Sequence, residues 1–236
     1  MFQNTGFIIG ESSLVSVFEI LYEVWYNTIM GLYNPKDKGG FRIMKQKNQR
    51  RIPMEKEFMK CNDRVYSYLQ TVSSWTPGAN YRHIKKSDYS NAQIGRELKI
   101  DQRTVASAIR KLKKIGAVED EKGYYRLPEY GARFRYIPND TLEFMINALS
   151  IDSIKVYCIL SAWNDMGLAT TFTRKGICTE LGVKPGGNQY TKVDNILTCL
   201  VNNGLIELTE EQIINRYGEL ETIFTLEKVN KEHRER

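Results

Sequence analysis

The chain has 236 residues, enough for one large domain or two small ones, and its 42% apolar content is ordinary for a protein with a buried core. The net charge of +6 is unevenly divided: residues 1–136 carry 24 Lys and Arg against 14 Asp and Glu, and residues 137–236 carry 10 against 14. This division favours a polyanionic partner for the first part. The sequence holds no P-loop, H-E-x-x-H or G-x-S-x-G motif and no closely spaced histidines, so we expect neither an enzyme nor a cofactor.

Residues 14–33 are strongly apolar, but they do not fit a signal peptide, because the chain starts without a basic segment. They do not fit a membrane helix either, because Glu19 and Glu23 would lie in its middle. Two interpretations remain open. The stretch is an extra helix packed on the body or on a twin subunit, or it is upstream DNA read in frame. The Lys-Gly-Gly shortly before Met44 can be encoded by codons that contain a ribosome-recruiting signal. Under the second interpretation, translation therefore begins at Met44 and residues 1–43 lie outside the native protein.

A basic arm is predicted over residues 44–53, ahead of the first orderly apolar pattern. Its four cations are Lys45, Lys47, Arg50 and Arg51. Two interpretations stay open here as well: the arm lies along phosphates or in a minor groove, or it is a solvated tail. Residues 54–73 then predict one helix by the spacing of their apolar side chains, and a Pro-Gly loop follows it.

Two helices separated by a tight turn come next and predict a helix-turn-helix. Ser90 and Asn91 are the candidate caps of the first, which runs through Leu98. The second is capped by Asp101, covers residues 102–115 and is terminated by Gly116. A helix–helix turn this short requires the two helices to cross, which is how a second helix is presented to a DNA groove.

The next stretch, residues 117–127, predicts two short strands around a Glu-Lys-Gly turn, and the plan of helices and hairpin then repeats. The segment "RIPM" at 51–54 returns as "YIPN" at 136–139. Four apolar positions of the last helix recur 88 residues later, where Val105, Ala108, Ile109 and Leu112 match Val193, Ile196, Leu197 and Leu200.

We therefore predict a mostly α chain with small β wings, of the α+β class, with two tandem winged helix-turn-helix domains. The first covers residues 54–128 and is basic, the second covers residues 129–227 and is acidic, and a charged tail follows over 228–236. The second domain inserts "PGGNQ" in its helix–helix turn and has a longer wing.

The third helix of the first domain, residues 102–115, presents a cationic face opposite its apolar stripe when its residues are placed at 100° per position. No acid interrupts the helix between Asp101 and Glu119. A solvated surface helix ordinarily mixes charge signs, whereas neutralising phosphates requires clustered cations, so DNA contact is favoured. The predicted DNA contacts are Lys99, Gln102, Arg103, Thr104, Ser107, Arg110, Lys111, Lys113 and Lys114, with Lys122 and Arg126 from the hairpin.

The corresponding face in the second domain is polar and uncharged, and its residues are Thr191, Asn195, Thr198 and Asn202. Asn side chains can pair with adenine edges, and such a face also suits a protein interface, so contact with DNA and contact with a partner both stay open. The candidate contacts here are Lys184, Gln189, Tyr190, Thr191, Lys192 and Asn195.

The four cysteines include no C-x-x-C pair, so a metal site is not expected. We expect reduced thiols in the core of a cytoplasmic protein instead. We also expect no membrane partner.

The chain resembles the replication initiators and replisome organisers of Gram-positive plasmids and phages. The resemblance rests on two predicted winged helices in tandem, each opened by an Ile-Pro segment and a helix of related pattern ("RVYSYL" at 64–69 and "KVYCIL" at 155–160). It covers about residues 50–227 and implies that residues 102–114 contact DNA. We expect a sequence-specific double-stranded DNA-binding protein that initiates replication at origin repeats. Its second domain would form a homodimer, read flanking bases or recruit replication proteins.

Two alternatives use the same fold. One is a transcription regulator of a mobile element, and the other is a protein-interaction adaptor, because winged folds also serve as protein interfaces.

Overall fold

The computed structural model describes residues 49–75, 81–165 and 171–230. Three predictions fall outside the described residues: those for the segment 1–43, for Lys45 and Lys47, and for residues 231–236 of the tail.

The first half of the described chain alternates helices with short antiparallel strands. Its elements in chain order are β1 (Gln49–Pro53), α1 (Lys56–Met59), α2 (Asp63–Val72), β2 (Ser74–Trp75), β3 (Tyr81–Lys85), α3 (Asn91–Leu98), α4 (Gln102–Lys114), β4 (Glu119–Glu121) and β5 (Tyr124–Pro128). Four of its strands form one sheet in the order β2-β3-β5-β4, so the last strand of the half lies between its neighbours rather than at the edge.

The second half repeats this order with longer final strands and, in its described residues, without a counterpart of β2. Its elements are β6 (Phe134–Pro138), α5 (Asn139–Ala148), α6 (Ser153–Asp165), β7 (Thr171–Thr173), α7 (Arg174–Glu180), α8 (Gly187–Asn202), β8 (Ile206–Ile214) and β9 (Leu220–Val229). Its sheet has the order β7-β9-β8, which matches β3-β5-β4 of the first half. The described part of the chain is thus a mixed α+β protein of eight helices and small antiparallel sheets.

The two helices predicted around the tight turn are confirmed as α3 and α4. A capping box starts α3, because the Ser90 hydroxyl accepts the Gln93 N–H (3.3 Å) and the Gln93 side chain accepts the Ser90 N–H (2.7 Å). The Asp101 carboxylate caps α4 by accepting the Arg103 N–H (2.7 Å). Gly116 lies just past the end of α4 at φ 77°, a conformation that a side chain disfavours.

The prediction of one helix over residues 54–73 is wrong. The chain forms α1 and α2 with a break between them, and the Asn62 side chain caps the second helix by accepting the Val65 N–H (3.1 Å). The ammonium of Lys155 in α6 donates to the carbonyls of Met59 (2.8 Å) and Cys61 (2.7 Å). These two carbonyls lie at the break, where no helical N–H reaches them, so Lys155 supplies their hydrogen-bond partner.

The structure also differs from the basic arm predicted through residue 53. Residues 49–53 form β1, which pairs with β6, and Arg50 is buried. The Arg51 guanidinium donates to the carbonyls of Tyr130 and Gly131 and stacks on the Phe134 ring at 3.9 Å. Successive residues of a strand point to opposite faces, so the two arginines contact protein on different sides: Arg50 is buried and Arg51 is held by its carbonyl partners and the Phe134 ring.

The pairing of β1 with β6 joins the two halves symmetrically. Arg51 lies opposite Tyr136, and these are the positions that the repeat of "RIPM" and "YIPN" makes equivalent. A local twofold axis therefore runs through this pair of strands.

One continuous hydrophobic core extends through both halves. Helix α2 packs against α4 of its own half and against α5 and α6 of the other half. Helix α6 lies deepest, with residues 153–162 all buried. The core positions predicted from the repeat are confirmed: Leu112 and Leu200 are both fully buried.

Candidate nucleic-acid interface

The crossing of α3 and α4 depends on a close backbone contact at Gly95. A Cβ on this buried residue would lie 2.8 Å from the Ile100 carbonyl oxygen, which is too close for any side chain. Lys99 closes the turn in the left-handed region at φ 53°. Because the loop between α3 and α4 is so tight, the N-terminal residues of α4 face solvent, and the exposed Lys99 lies beside them.

The outer face of α4 is exposed along its whole length, as predicted. Its buried side consists of Val105, Ala108, Ile109 and Leu112. The exposed residues of the helix are Gln102, Arg103, Thr104, Ser107, Arg110, Lys111 and Lys114. Because no carboxylate lies on this helix, its four exposed cations present one continuous positive surface.

Lys113, near the end of α4, and Lys86, just after β3, are already bound to a carboxylate. Lys113 donates to Asp120 Oδ2 (2.6 Å), and Lys86 lies 2.7 Å from Asp120 Oδ1. Both ammonium groups also lie about 5 Å from the centre of the Tyr125 ring. Hydrogen bonds from Lys113 and Lys86 lower the pKa of Asp120 below its ordinary value. The predicted contact Lys113 therefore belongs to a bridge between α4 and strand β4.

The hairpin β4–β5 places its two predicted contacts differently. Lys122 is exposed at the tip of the turn. Arg126 is half-buried, pairs with Glu119 (3.4 Å) and stacks over the Tyr81 ring at 4.3 Å. Lys122 is thus accessible to a partner, whereas Arg126 is held against the sheet.

Sequence reasoning missed Arg96, which is exposed on α3 beside the start of α4. It lines an open groove of about 420 Å³ between the two helices. The lining residues are Ala92, Gly95, Arg96, Lys99, Ile100, Asp101 and Gln102. One feature of the sequence could have indicated Arg96: it directly follows Gly95, the glycine that permits α3 and α4 to cross.

The outer face of α8 is exposed but uncharged. Thr191, Asn195, Thr198 and Asn202 are all exposed, opposite the buried Val193, Ile196, Leu197 and Leu200. The Thr191 hydroxyl donates to the Gly187 carbonyl (3.2 Å). Gln189 and Tyr190 are half-buried in the first turn, and Lys184 is exposed in the turn before it. The candidate contacts of the second half thus lie on the turn before α8 and along that helix as far as Asn195.

Lys192 of α8 is bound within the protein. Its ammonium donates to Asp152, which also accepts from Lys155 (2.7 Å) and takes a left-handed conformation at φ 74°. Burial alone would raise the pKa of Asp152, but Lys155 and Lys192 outweigh it and lower the value. The Asp152 N–H donates to the fully buried Asp63 at the start of α2 (3.2 Å). Lys192 is therefore tied to the junction of the two halves.

Within the described ranges, the structure holds no cluster of His, Cys, Asp and Glu side chains suited to a metal ion. The four cysteines are free thiols, and three of them are buried. Burial raises the pKa of Cys158 and Cys178 above the ordinary value of a thiol. No helix in the described ranges is long and apolar enough to cross a membrane.

No protein-family model matches this chain, and no curated protein is significantly similar to it in sequence.

Proposed function

We propose that this protein binds double-stranded DNA in a sequence-specific manner through α4 and that it initiates replication of a plasmid or phage. The carrying observation is the exposed face of α4, which has four cations and no carboxylate between its cap and β4. Such a face neutralises phosphates, and its first turns present Gln102, Arg103 and Ser107 to base edges.

We infer that each half is a winged helix. The order helix, strand, two crossed helices and hairpin, with the hairpin's second strand in the middle of the sheet, supports this inference in both halves. In this arrangement the third helix of the unit, α4 or α8, is the one that enters a major groove.

The two halves contribute differently to this proposal. The first half anchors on DNA, because α4 combines exposed cations with exposed hydrogen-bonding side chains. In the second half Lys192 is held by Asp152, and the outer face of α8 is neutral. The second half therefore adds little phosphate attraction, and its role is to read flanking bases or to hold a partner.

The role in replication rests on the resemblance to plasmid and phage initiators, and the DNA-binding role rests on α4. Recovery of bound DNA from cells carrying the source element tests the first. Recovered sites that are iterated repeats at an origin support initiation, and sites confined to promoters contradict it.

A salt titration with the full chain tests the DNA-binding role. Wild-type affinity for duplex DNA should fall steeply as salt rises, and the slope should decrease by about one for each phosphate that a variant no longer neutralises. We expect Lys111→Ala with Lys114→Ala to weaken binding to all sequences alike and to flatten the slope by up to about two. Lys60→Ala, an exposed lysine between α1 and α2, is the control and should leave the slope unchanged. An unchanged slope in the double variant would remove α4 from the DNA interface.

A further inference from the structure

The hairpin β8–β9 extends beyond its own sheet. Strand β7 pairs with β9 only as far as Ile223, whereas β8 and β9 continue to pair up to Ile214 and Leu220. The last three residue pairs, which span about 10 Å, therefore form a two-stranded ribbon with a turn at its end.

The end of this ribbon, which we call the hairpin tip (residues 210–221), displays large apolar side chains to solvent. Ile214, Tyr217 and Leu220 are 73%, 71% and 74% exposed. Ile214 and Leu220 lie opposite each other in the register, so their side chains share one face. A cluster of exposed apolar side chains on a projecting element is typical of a protein interaction site.

The turn of the hairpin tip is held in one conformation by Asn215. Its side-chain oxygen accepts the N–H groups of Tyr217 (2.9 Å) and Glu219 (3.0 Å). Its backbone N–H donates to the Glu219 carbonyl (2.8 Å) and its carbonyl accepts the Gly218 N–H (2.9 Å). An ordered turn reduces the entropy lost when the apolar side chains dock.

The charge of the hairpin tip excludes nucleic acid as its partner. Its carboxylates are Glu210, Glu211, Glu219 and Glu221, against the single cation Arg216. Glu210 lies on the same face as Ile214 and Leu220 because the three positions alternate regularly along the paired strands. A partner for this tip needs an apolar recess with a cationic rim, because an anionic one would repel it.

The groove between α3 and α4 has these properties. Its lining includes the exposed Ala92, the buried Gly95 and the half-buried Ile100. Arg96 and Lys99 stand exposed on its rim, and Asp101 is the one carboxylate among its lining residues, with its Oδ1 engaged by the Arg103 N–H. The groove is shallow and open to solvent, so a projecting element such as a hairpin can reach it from outside.

We propose that the hairpin tip of one copy of this chain docks into the α3–α4 groove of a second copy. The apolar side chains of Ile214 and Leu220 enter the groove, and the carboxylates of Glu210, on the same face, and of Glu219, in the turn, lie toward Arg96 and Lys99. Because the groove lies beside the first turn of α4, a docked hairpin covers the surface that we assign to DNA. Self-association and DNA binding then exclude each other. This competition rests on the proposed function, whereas the docking itself does not.

Sedimentation velocity of the full chain without DNA tests the docking. We expect concentration-dependent self-association with a Kd on the order of micromolar, as for a small interface. Ile214→Ser with Leu220→Ser should weaken it at least tenfold. Ile151→Ser removes an apolar side chain that is 39% exposed between α5 and α6, outside the tip and the groove, and should have no effect. A chain that stays monomeric throughout, or a tip variant that associates like wild type, overturns the proposal.

Charge reversal identifies the surfaces that meet. Arg96→Glu alone and Glu210→Arg with Glu219→Arg should each reduce self-association, and an equimolar mixture of the two proteins should associate again. Reduced association in both variants without recovery in the mixture would overturn the pairing of tip and groove. Circular dichroism of each variant checks that it is folded.

Addition of duplex DNA tests the competition. DNA in excess should dissociate wild-type assemblies, and the tip variant should bind DNA at least as tightly as wild type. If self-association occurs and DNA binds without dissociating it, the docking site lies away from the groove. If DNA does not bind at all, the proposed function fails, but the sedimentation and charge-reversal experiments still decide the docking.

Discussion

Helices α4 and α8 occupy the same place in the two halves and differ in what they present to solvent. Each buries four apolar residues at equivalent positions, and the central leucines Leu112 and Leu200 are fully buried in both. The exposed face of α4 carries four cations, whereas that of α8 carries hydroxyl and amide groups and one lysine bound by Asp152. Packing thus constrains the inner stripe of both helices in the same way and leaves the outer face free to acquire a different role.

The two hairpins diverge in the same direction. The β4–β5 hairpin is short and tied to α4 through Asp120, which binds Lys113. The β8–β9 hairpin is longer, acidic and apolar at its tip. One half therefore concentrates positive charge around α4, and the other exposes a surface suited to protein.

The largest expected effect concerns what the two helices share. Leu112→Ala and Leu200→Ala should each lower the free energy of unfolding by about 2–5 kcal/mol, because each leaves a cavity in a closely packed core. Denaturant unfolding of the full chain measures both, with the exposed Ser107→Ala and Thr198→Ala as controls expected within about 0.5 kcal/mol of wild type. Small effects at both leucines would contradict the equivalence of α4 and α8.

The sequence predicted what local patterns determine. Ser90, Asp101 and Gly116 mark the ends of α3 and α4 because caps act within one helical turn, and the apolar spacing identified the buried faces of α4 and α8. The outward face of α4, and with it the exposed predicted residues, follows from the same periodicity.

What the sequence did not predict depends on contacts between distant residues. Lys155 meets Met59 and Cys61 across more than ninety positions, and β1 pairs with β6 across more than eighty. Periodicity describes one segment at a time, so it shows neither the break between α1 and α2 nor the burial of Arg50. Because the halves share a strand pair and a core, the comparison between them is best tested by substitutions in the full chain.

The next effect concerns what the two helices do not share. Arg103→Ala with Arg110→Ala should weaken specific DNA binding by about 1–3 kcal/mol for each base that the variant can no longer hydrogen-bond. Thr191→Ala with Asn195→Ala, at the exposed face of α8, should weaken it less, because these side chains carry no charge and add no phosphate attraction. Fluorescence anisotropy with the recovered site and a scrambled duplex measures both pairs. Equal decreases in affinity would mean that the two helices contact DNA as equals.

The smallest expected effect concerns the bridge between α4 and its hairpin. Asp120→Asn removes the carboxylate that holds Lys113 and Lys86, so both ammonium groups become available to phosphates. We expect affinity for all duplex sequences to rise about two- to fivefold at low salt, since an exposed ion pair is worth up to about 1 kcal/mol. Glu121→Gln removes an equal charge from the same strand, has no ion pair in the described part of the chain, and should raise affinity less.

The same variant has a second readout in its stability. Hydrogen bonds from Lys113 and Lys86 lower the pKa of Asp120 in the folded chain below its ordinary value of 3.8. The bridge therefore stabilises the fold above that value, and its contribution is lost as pH falls through the lower folded pKa. Thermal unfolding should show wild type more stable than Asp120→Asn at neutral pH, with the difference shrinking in acid. A variant that binds DNA more weakly than wild type, or whose stability deficit grows in acid, would show that Asp120 does not restrain these lysines.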